Sequence, residues 1–339
     1  MRSRRFLGAT LVAVSLIAGC DGDEPEPQPS ATPTPSPVAE APKCPLTGRQ
    51  PPQGVDLERP AVAVKIENSA AARPQSGLDN ADLVFEEIVE GGYTRFMAIY
   101  HCGASTDAGP VRSARFDDPK IAEPFTKVIA YSGSNALVEA ELRKRKMVSL
   151  NELNQRTAFY RVPPGTILVH NLFVRTPELL TDKRVRKLAP PKEVFEFGEV
   201  QKAAKRARKI RLNFNKDINI EYRYKKRLWR RFEDGPFLTK GGKQIAVPNV
   251  LVQEVVVNNS RKLLDSAGNP SPRLKLRGRG RAFLFRDGKV ITGIWKTGDN
   301  GIPHYRTKKG AEFVFAPGPI WVELLPSKKG DVKGSLNYN

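Results

Sequence analysis

Short apolar runs bounded by Gly, Pro, Asn and Asp recur along the chain from Pro60 onward, and they predict strands. Ala61 to Glu67 is dense in β-branched residues. Asp82 to Val89 and Thr94 to Tyr100 follow as two strands, and Glu90-Gly91-Gly92-Tyr93 between them reads as a tight hairpin. After the loop Gly109 to Arg115, the pattern predicts a helix over Pro119 to Phe125, a strand over Val128 to Ser132 and a helix over Asn135 to Lys146. A further strand is expected over Thr166 to Val169. The second half is all short strands: Leu212–Phe214, Glu221–Trp229, Asn249–Asn258, Arg273–Arg277, Gly280–Arg286, Lys289–Trp295 and Ile320–Leu325. Asp287-Gly288 between two apolar runs is a type I′ hairpin signal. The expected class is α+β: an N-terminal mixed α/β sheet domain, residues 45–195, then a smaller antiparallel β-rich domain, residues 212–326. A basic linker or helix, 196–211, should join them, and 327–339 reads as a flexible tail.

The N-terminus has a different pattern. Arg2, Arg4 and Arg5 precede an apolar stretch from Phe6 to Ala18, and Leu16-Ile17-Ala18-Gly19-Cys20 closes it. This is the form of a lipoprotein signal peptide, residues 1–19, too short to serve as a stable membrane span. The mature chain is expected to begin at Cys20, acylated (palmitate-type) on its thiol and amine and held on the extracytoplasmic face of the cell membrane. Residues 20–44 then form a tether rich in Pro, Ser and Thr, whose prolines favour extended polyproline II.

Export changes how the cysteines and the charge are read. The chain has three cysteines, and with Cys20 acylated the other two, Cys44 and Cys102, are expected to form one disulfide. His101, His170 and His304 lack the close spacing of zinc motifs, and no metal or cofactor is expected. The formal net charge is +20. Between Lys183 and Arg231 there are 18 Lys and Arg against 5 Asp and Glu. In an exported protein this points to anionic envelope polymer or lipid headgroups and away from nucleic acid; the alternative is a solvated basic helix and linker.

Three stretches in order carry a resemblance: Arg73-Pro74-Gln75-Ser76-Gly77-Leu78, Val89-Glu90-Gly91-Gly92-Tyr93-Thr94-Arg95-Phe96 and Gly109-Pro110-Val111-Arg112-Ser113-Ala114-Arg115. Over residues 45 to 325 the chain resembles the YerB-like lipoproteins of the DUF3048 family. The resemblance implies an exported, two-part architecture. Members have no described activity, so it brings no catalytic residue with it.

Candidate site residues therefore rest on chemistry. Arg73, Arg95, Arg112 and Arg115 lie in or beside Gly- and Pro-containing loops, and guanidinium forks converging on one cleft would hold a carboxylate or phosphate, with Ser76 and Ser113 as added donors. Asp82, Glu86, Glu87 and Glu90 could instead pair these arginines in a structural ion network. Adjacent Glu86 and Glu87 should point to opposite faces of their strand, whereas Glu86 and Glu90 could cooperate as a carboxylate pair. His170-Asn171 is the remaining polar pair able to do chemistry, though a lone histidine there is more often structural. There is no Gly-x-Ser-x-Gly elbow, P-loop, His-Glu-x-x-His or dinucleotide fingerprint, and Gly278-Arg279-Gly280-Arg281 suits a strand boundary better than a nucleotide loop. Two functions remain: a binding or accessory module for an anionic envelope ligand, or a hydrolase or phosphoryl transferase of envelope polymer using Glu86 or Glu90 with His170 and the arginines.

Overall fold

Strands from both halves of the chain build one sheet. The structure is a computed structural model that describes residues 13, 15, 41–162, 170–202 and 204–339. The chain divides into an N-terminal unit, Met1–Glu40, and the unit Ala41–Asn339, to which all that follows refers. Cys20, most of the tether and the expected strand Thr166–Val169 lie outside the described residues.

The first half contributes β1 (Val62–Glu67), β2 (Leu83–Ile88) and β3 (Thr94–Tyr100), then α1 (Asp118–Ala122), β4 (Val128–Ala130), α2 (Ala136–Lys144) and β5 (Val148–Leu150). A small hairpin of β6 (Phe159–Arg161) and β7 (Leu172–Val174) and the short α3 (Thr176–Leu179) complete it. The helix expected from Asn135 is α2: the Asn135 side chain caps it by accepting from Val138 N at 3.0 Å. The hairpin expected at Glu90–Tyr93 forms, with Ile88 opposite Thr94 and both Gly91 and Gly92 at positive φ.

The second half contributes β8 (Glu196–Phe197), β9 (Lys205–Arg206), β10 (Lys209–Asn213), β11 (Asn219–Lys225), β12 (Leu228–Phe232), β13 (Ala246–Val247) and the long β14 (Asn249–Leu264). After it come β15 (Pro270–Leu274), β16 (Arg279–Arg286), β17 (Lys289–Thr297), β18 (Pro303–Thr307), β19 (Val314–Phe315), β20 (Ile320–Gly330) and β21 (Ser335–Tyr338). The Asp287-Gly288 hairpin is present, with both residues at positive φ between paired Arg286 and Lys289.

The main sheet runs β18-β17-β16-β14-β20-β2-β3-β1-β4-β5, with β15 and β9 attached at its side. Its centre is the parallel trio β14, β20 and β2, in which Leu83 lies opposite Ile320 and Glu86 opposite Glu323. The chain is thus mostly β with few helical turns, and the separate sheets expected for the two halves are not seen. The parallel β2–β20 pairing joins strands far apart in sequence, which no local hydrophobic pattern can announce.

A second, antiparallel sheet, β13-β12-β11-β10-β21, covers one face of the main sheet. Phe96 of β3 meets Phe237 edge-on at 5.9 Å and Trp321 of β20 at 5.5 Å, while Trp229 of β12 meets Phe285 of β16 at 5.7 Å. Two expectations are corrected here. Among the described residues, 196–211 forms short strands, not a helix, because Lys205–Arg206 pairs with β17 and the strand from Lys209 pairs with β11 and β21. Residues 327–339 are not a loose tail: β20 runs to Gly330 and β21 pairs with β10, Leu336 opposite Leu212.

The disulfide Cys44–Cys102 forms, fastening the start of this unit to the end of β3. No described helix is long and apolar enough to cross a membrane.

Candidate functional site

Register sorts the charged residues of the sheet onto two faces. Glu67 of β1 lies opposite Arg95 of β3, which lies opposite Glu87 of β2, so all three share one face. Glu86, one residue earlier, faces the other way, as alternation requires. Both faces are covered, and both carboxylates are buried.

On the Glu86 face, Arg231 enters from β12 and is fully buried. Its guanidinium lies 2.8 Å from Glu86, 2.7 Å from Glu233 and 3.1 Å from Glu323, and it donates to the Tyr222 hydroxyl at 2.9 Å. It also sits over the rings of Phe237, Trp321 and Phe96. Arg73 belongs to this cluster: it pairs with Glu233 and donates to the Asn68 carbonyl at 3.2 Å. Burial, and then the neighbouring Glu323 and Glu233, push Glu86 well above the usual carboxylate range against the pull of Arg231. This cluster holds the two sheets together.

On the Glu87 face, the fully buried Lys65 pairs with Glu87 and with Asp118 at 2.7 Å. Burial and the nearby Asp118 raise Glu87 well above its ordinary value, while Lys65 and hydrogen bonds hold Asp118 low despite its burial. Asp118 also accepts from Arg115 N at 2.6 Å, which fixes the loop carrying the next group of residues.

That group is a cleft of about 470 Å³. Arg95, Arg112 and Arg115 line one end of it with Glu90. The loop is pinned along its length: Arg112 N donates to the Lys65 carbonyl at 2.9 Å and Ala114 N to the Gly133 carbonyl at 2.9 Å. Arg112 pairs with Glu67, and Arg115 with Glu90, which also accepts from the Ser271 hydroxyl. Arg95 has no carboxylate of its own: Glu67 is 3.9 Å away, its Nη1 donates to the Ser113 carbonyl at 3.1 Å, and its buried Nε has no hydrogen-bond partner among the described residues. Burial, and then the neighbouring Arg115, bring Arg95 down to about 10. Glu67 is raised by burial but held low overall by Arg95 and Arg112. The far wall comes from the tip of β14 and the turn after it, residues 263–266, so both halves of the chain build the cleft.

The expected residues thus fall into separate places. Arg95, Arg112, Ser113, Arg115 and Glu90 come together. Arg73 and Glu86 belong to the Arg231 cluster, so the Glu86–Glu90 pairing considered from the sequence does not form: the two side chains join different networks. Ser76 donates to Asp107, and buried Asn171 accepts from Arg161 at 2.7 Å. His170 is half-buried, its Nδ1 has no hydrogen-bond partner among the described residues, and burial lowers its pKa; Glu67, Arg112 and Arg95 are its charged neighbours. The sequence reading passed over Arg231, Glu67, Lys65 and Asn135. Arg231 had a visible signal, since it shares the inward side of β12 with Trp229. Among the described residues no cluster of His, Cys, Asp and Glu could hold a metal.

Residues 46–189 match the family model described as protein of unknown function (DUF3048) N-terminal domain, and residues 209–322 match its C-terminal domain. The chain is 30% identical over 302 residues to "Putative lipoprotein YerB" of Bacillus subtilis (strain 168), covering 85% of this chain and 88% of that protein. The crystal structure of YerB protein from Bacillus subtilis superposes with a TM-score of 0.72 at 27% identity, covering 87% of this chain and 99% of the other.

Proposed function

The chain belongs to the DUF3048 family, and on that footing we propose that it is a lipid-anchored binding module of the extracytoplasmic membrane face that holds an anionic envelope ligand in the cleft of Arg95, Arg112 and Arg115. The anchor reading rests on the Cys20 motif and on the name of the Bacillus subtilis relative. Residues of both halves of the chain line the cleft.

The observation that carries the ligand reading is Arg95. A buried guanidinium with an unbonded Nε and two cationic neighbours is an incomplete ion network, and an arriving carboxylate or phosphate would complete it. Arg112 and Arg115 are already paired, so they set the shape of the site more than its unfilled valence. The enzyme reading has less support. Glu86 belongs to the opposite face of the sheet, Glu90 is engaged by Arg115 and Ser271, and His170 is not among the described residues that line the cleft.

The test is binding of the unit 41–339 to purified cell-wall fragments, with wild type compared to Arg95→Gln. Loss of binding in the variant, with its unfolding midpoint retained, is expected. Equal binding by the two proteins, or none by either, overturns the proposal and leaves the arginines a structural role.

A further inference from the structure

The cleft is much larger than one oxyanion, and its lining includes uncharged polar and apolar residues as well as the arginines. Its 470 Å³ lies within the range of roughly 300–1,000 Å³ typical of small-molecule sites. Besides the arginines, the lining includes Ser113, Ser266 and Asn135 together with the apolar Val138, Leu263 and Leu264. The Asn135 carbonyl oxygen caps α2, which leaves its amide NH₂ for another partner. The Ser113 and Ser266 hydroxyls have no hydrogen-bond partner among the described residues.

Charge sets the other requirement. Three guanidiniums meet two bonded carboxylates, Glu67 and Glu90, an excess of one positive charge. The adjoining Lys65 is engaged by its own two carboxylates, Glu87 and Asp118, and does not line the cleft. Asp265 also lines the cleft; its carboxylate accepts from Ala267 N, Asn269 N and Asn269 Nδ2 at 2.8–3.0 Å and has Arg115 as a charged neighbour, without a direct bond to it. A singly charged ligand matches the one guanidinium in excess of the directly bonded carboxylates; with Asp265 also in the lining, a dianion would add repulsion.

Resting on the anion-binding reading above, we infer that the cleft takes a hexose unit carrying one negative charge, as a carboxylate or a phosphodiester. The charged group meets Arg95 between Arg112 and Arg115. The ring hydroxyls meet Ser113, Ser266 and the Asn135 amide, and the apolar CH face of the ring lies toward Leu263 and Val138.

The probes are glucuronate, glucose 6-(methyl phosphate), acetate and glucose, titrated into the unit 41–339 and followed by NMR shift perturbation. Glucuronate or the diester should bind about tenfold tighter than acetate, the gain expected from one or two hydroxyl hydrogen bonds. Glucose should show no saturation. Whichever of the two sugars binds tighter identifies the charged group. Ser113→Ala with Ser266→Ala, which disturbs no internal hydrogen bond, should reduce the tighter sugar to the affinity of acetate and leave acetate unchanged. Acetate binding as well as both charged sugars overturns the hexose assignment but keeps the anion site. No binding of acetate or of either charged sugar overturns both.

Discussion

Glu86 and Glu323 lie opposite one another on adjacent parallel strands, β2 and β20, and share one cation, Arg231. Each is raised above the ordinary carboxylate range, first by burial. Arg231 and Arg73 face three buried carboxylates there, Glu86, Glu233 and Glu323, and Arg73 also meets the exposed Asp234 at 3.4 Å, so one proton shared by Glu86 and Glu323 would balance the buried part of the cluster.

A pH dependence follows from the sign of these shifts. A carboxyl whose pKa is raised on folding stabilises the folded state fully below its unfolded value, and that contribution fades as pH rises through the folded value. Glu86→Gln replaces the shared proton with a neutral amide. Its stability relative to wild type should therefore improve as pH rises from about 4.5 to 8, by at most about 1.4 kcal/mol per pH unit for one proton. Urea midpoints of both proteins across that range measure it, and parallel pH profiles would refute the shared proton.

The cation in the same cluster should behave oppositely. Arg231→Met removes the charge that touches Glu86, Glu233 and Glu323 together and strands carboxylates between the two sheets. Loss of about 3–5 kcal/mol is expected, as for breaking other buried ion pairs. Adding Glu86→Gln and Glu323→Gln should return part of it. An additive triple variant would show that the three residues do not act as one network.

The disulfide offers an independent stability test. Cys44 and Cys102 are 58 residues apart, and closing a loop of that size stabilises by about 4 kcal/mol in the chain-entropy account. The double Cys→Ser variant should lose about 2–5 kcal/mol, read from its urea midpoint. Its midpoint should not respond to reductant, whereas that of wild type should fall toward it.

What could be read in advance was local chemistry. The opposite facing of Glu86 and Glu87 follows from strand alternation, the Asp287-Gly288 turn from its need for positive φ, and the helix α2 from the pattern of Asn135 to Lys146. The disulfide needed only export and a count of thiols. What escaped was long-range: the pairing of β2 with β20, and with it the meeting of Glu86 with Glu323 and Arg231. For the same reason Arg73 and Arg95, both loop-proximal in sequence, could not be assigned to different clusters. The stretch from Ser327 onward reads as a tail because it is polar and lysine-rich and β21 is short and half-exposed; its strand state comes from pairing with the distant β10.

The basic stretch between Lys183 and Arg231 now has a definite surface. Lys209, Arg211, Arg223, Lys225 and Arg230 lie on the outward side of the second sheet, and one carboxylate, Glu221, serves Lys209 at 2.6 Å, Arg211 at 3.5 Å and Arg223. Arg227, at the tip of the β11–β12 hairpin, is 89% exposed, and Lys226 beside it is also exposed. A flat, solvent-facing array of this kind suits an anionic bilayer better than a folded partner, because its charges lie on a sheet and not in a groove. Each Lys or Arg near such a surface contributes about 1 kcal/mol, screened over a Debye length of roughly 8–10 Å at physiological salt. The unit 41–339 should therefore sediment with vesicles containing phosphatidylglycerol, but not with phosphatidylcholine alone, and be released as salt rises. Arg211→Gln with Arg223→Gln and Lys225→Gln should weaken this by about 3 kcal/mol, on the order of a hundredfold, while wall-fragment binding through the Arg95 cleft persists. Vesicle binding that ignores both salt and the triple substitution would remove the membrane contact from the account without touching the cleft.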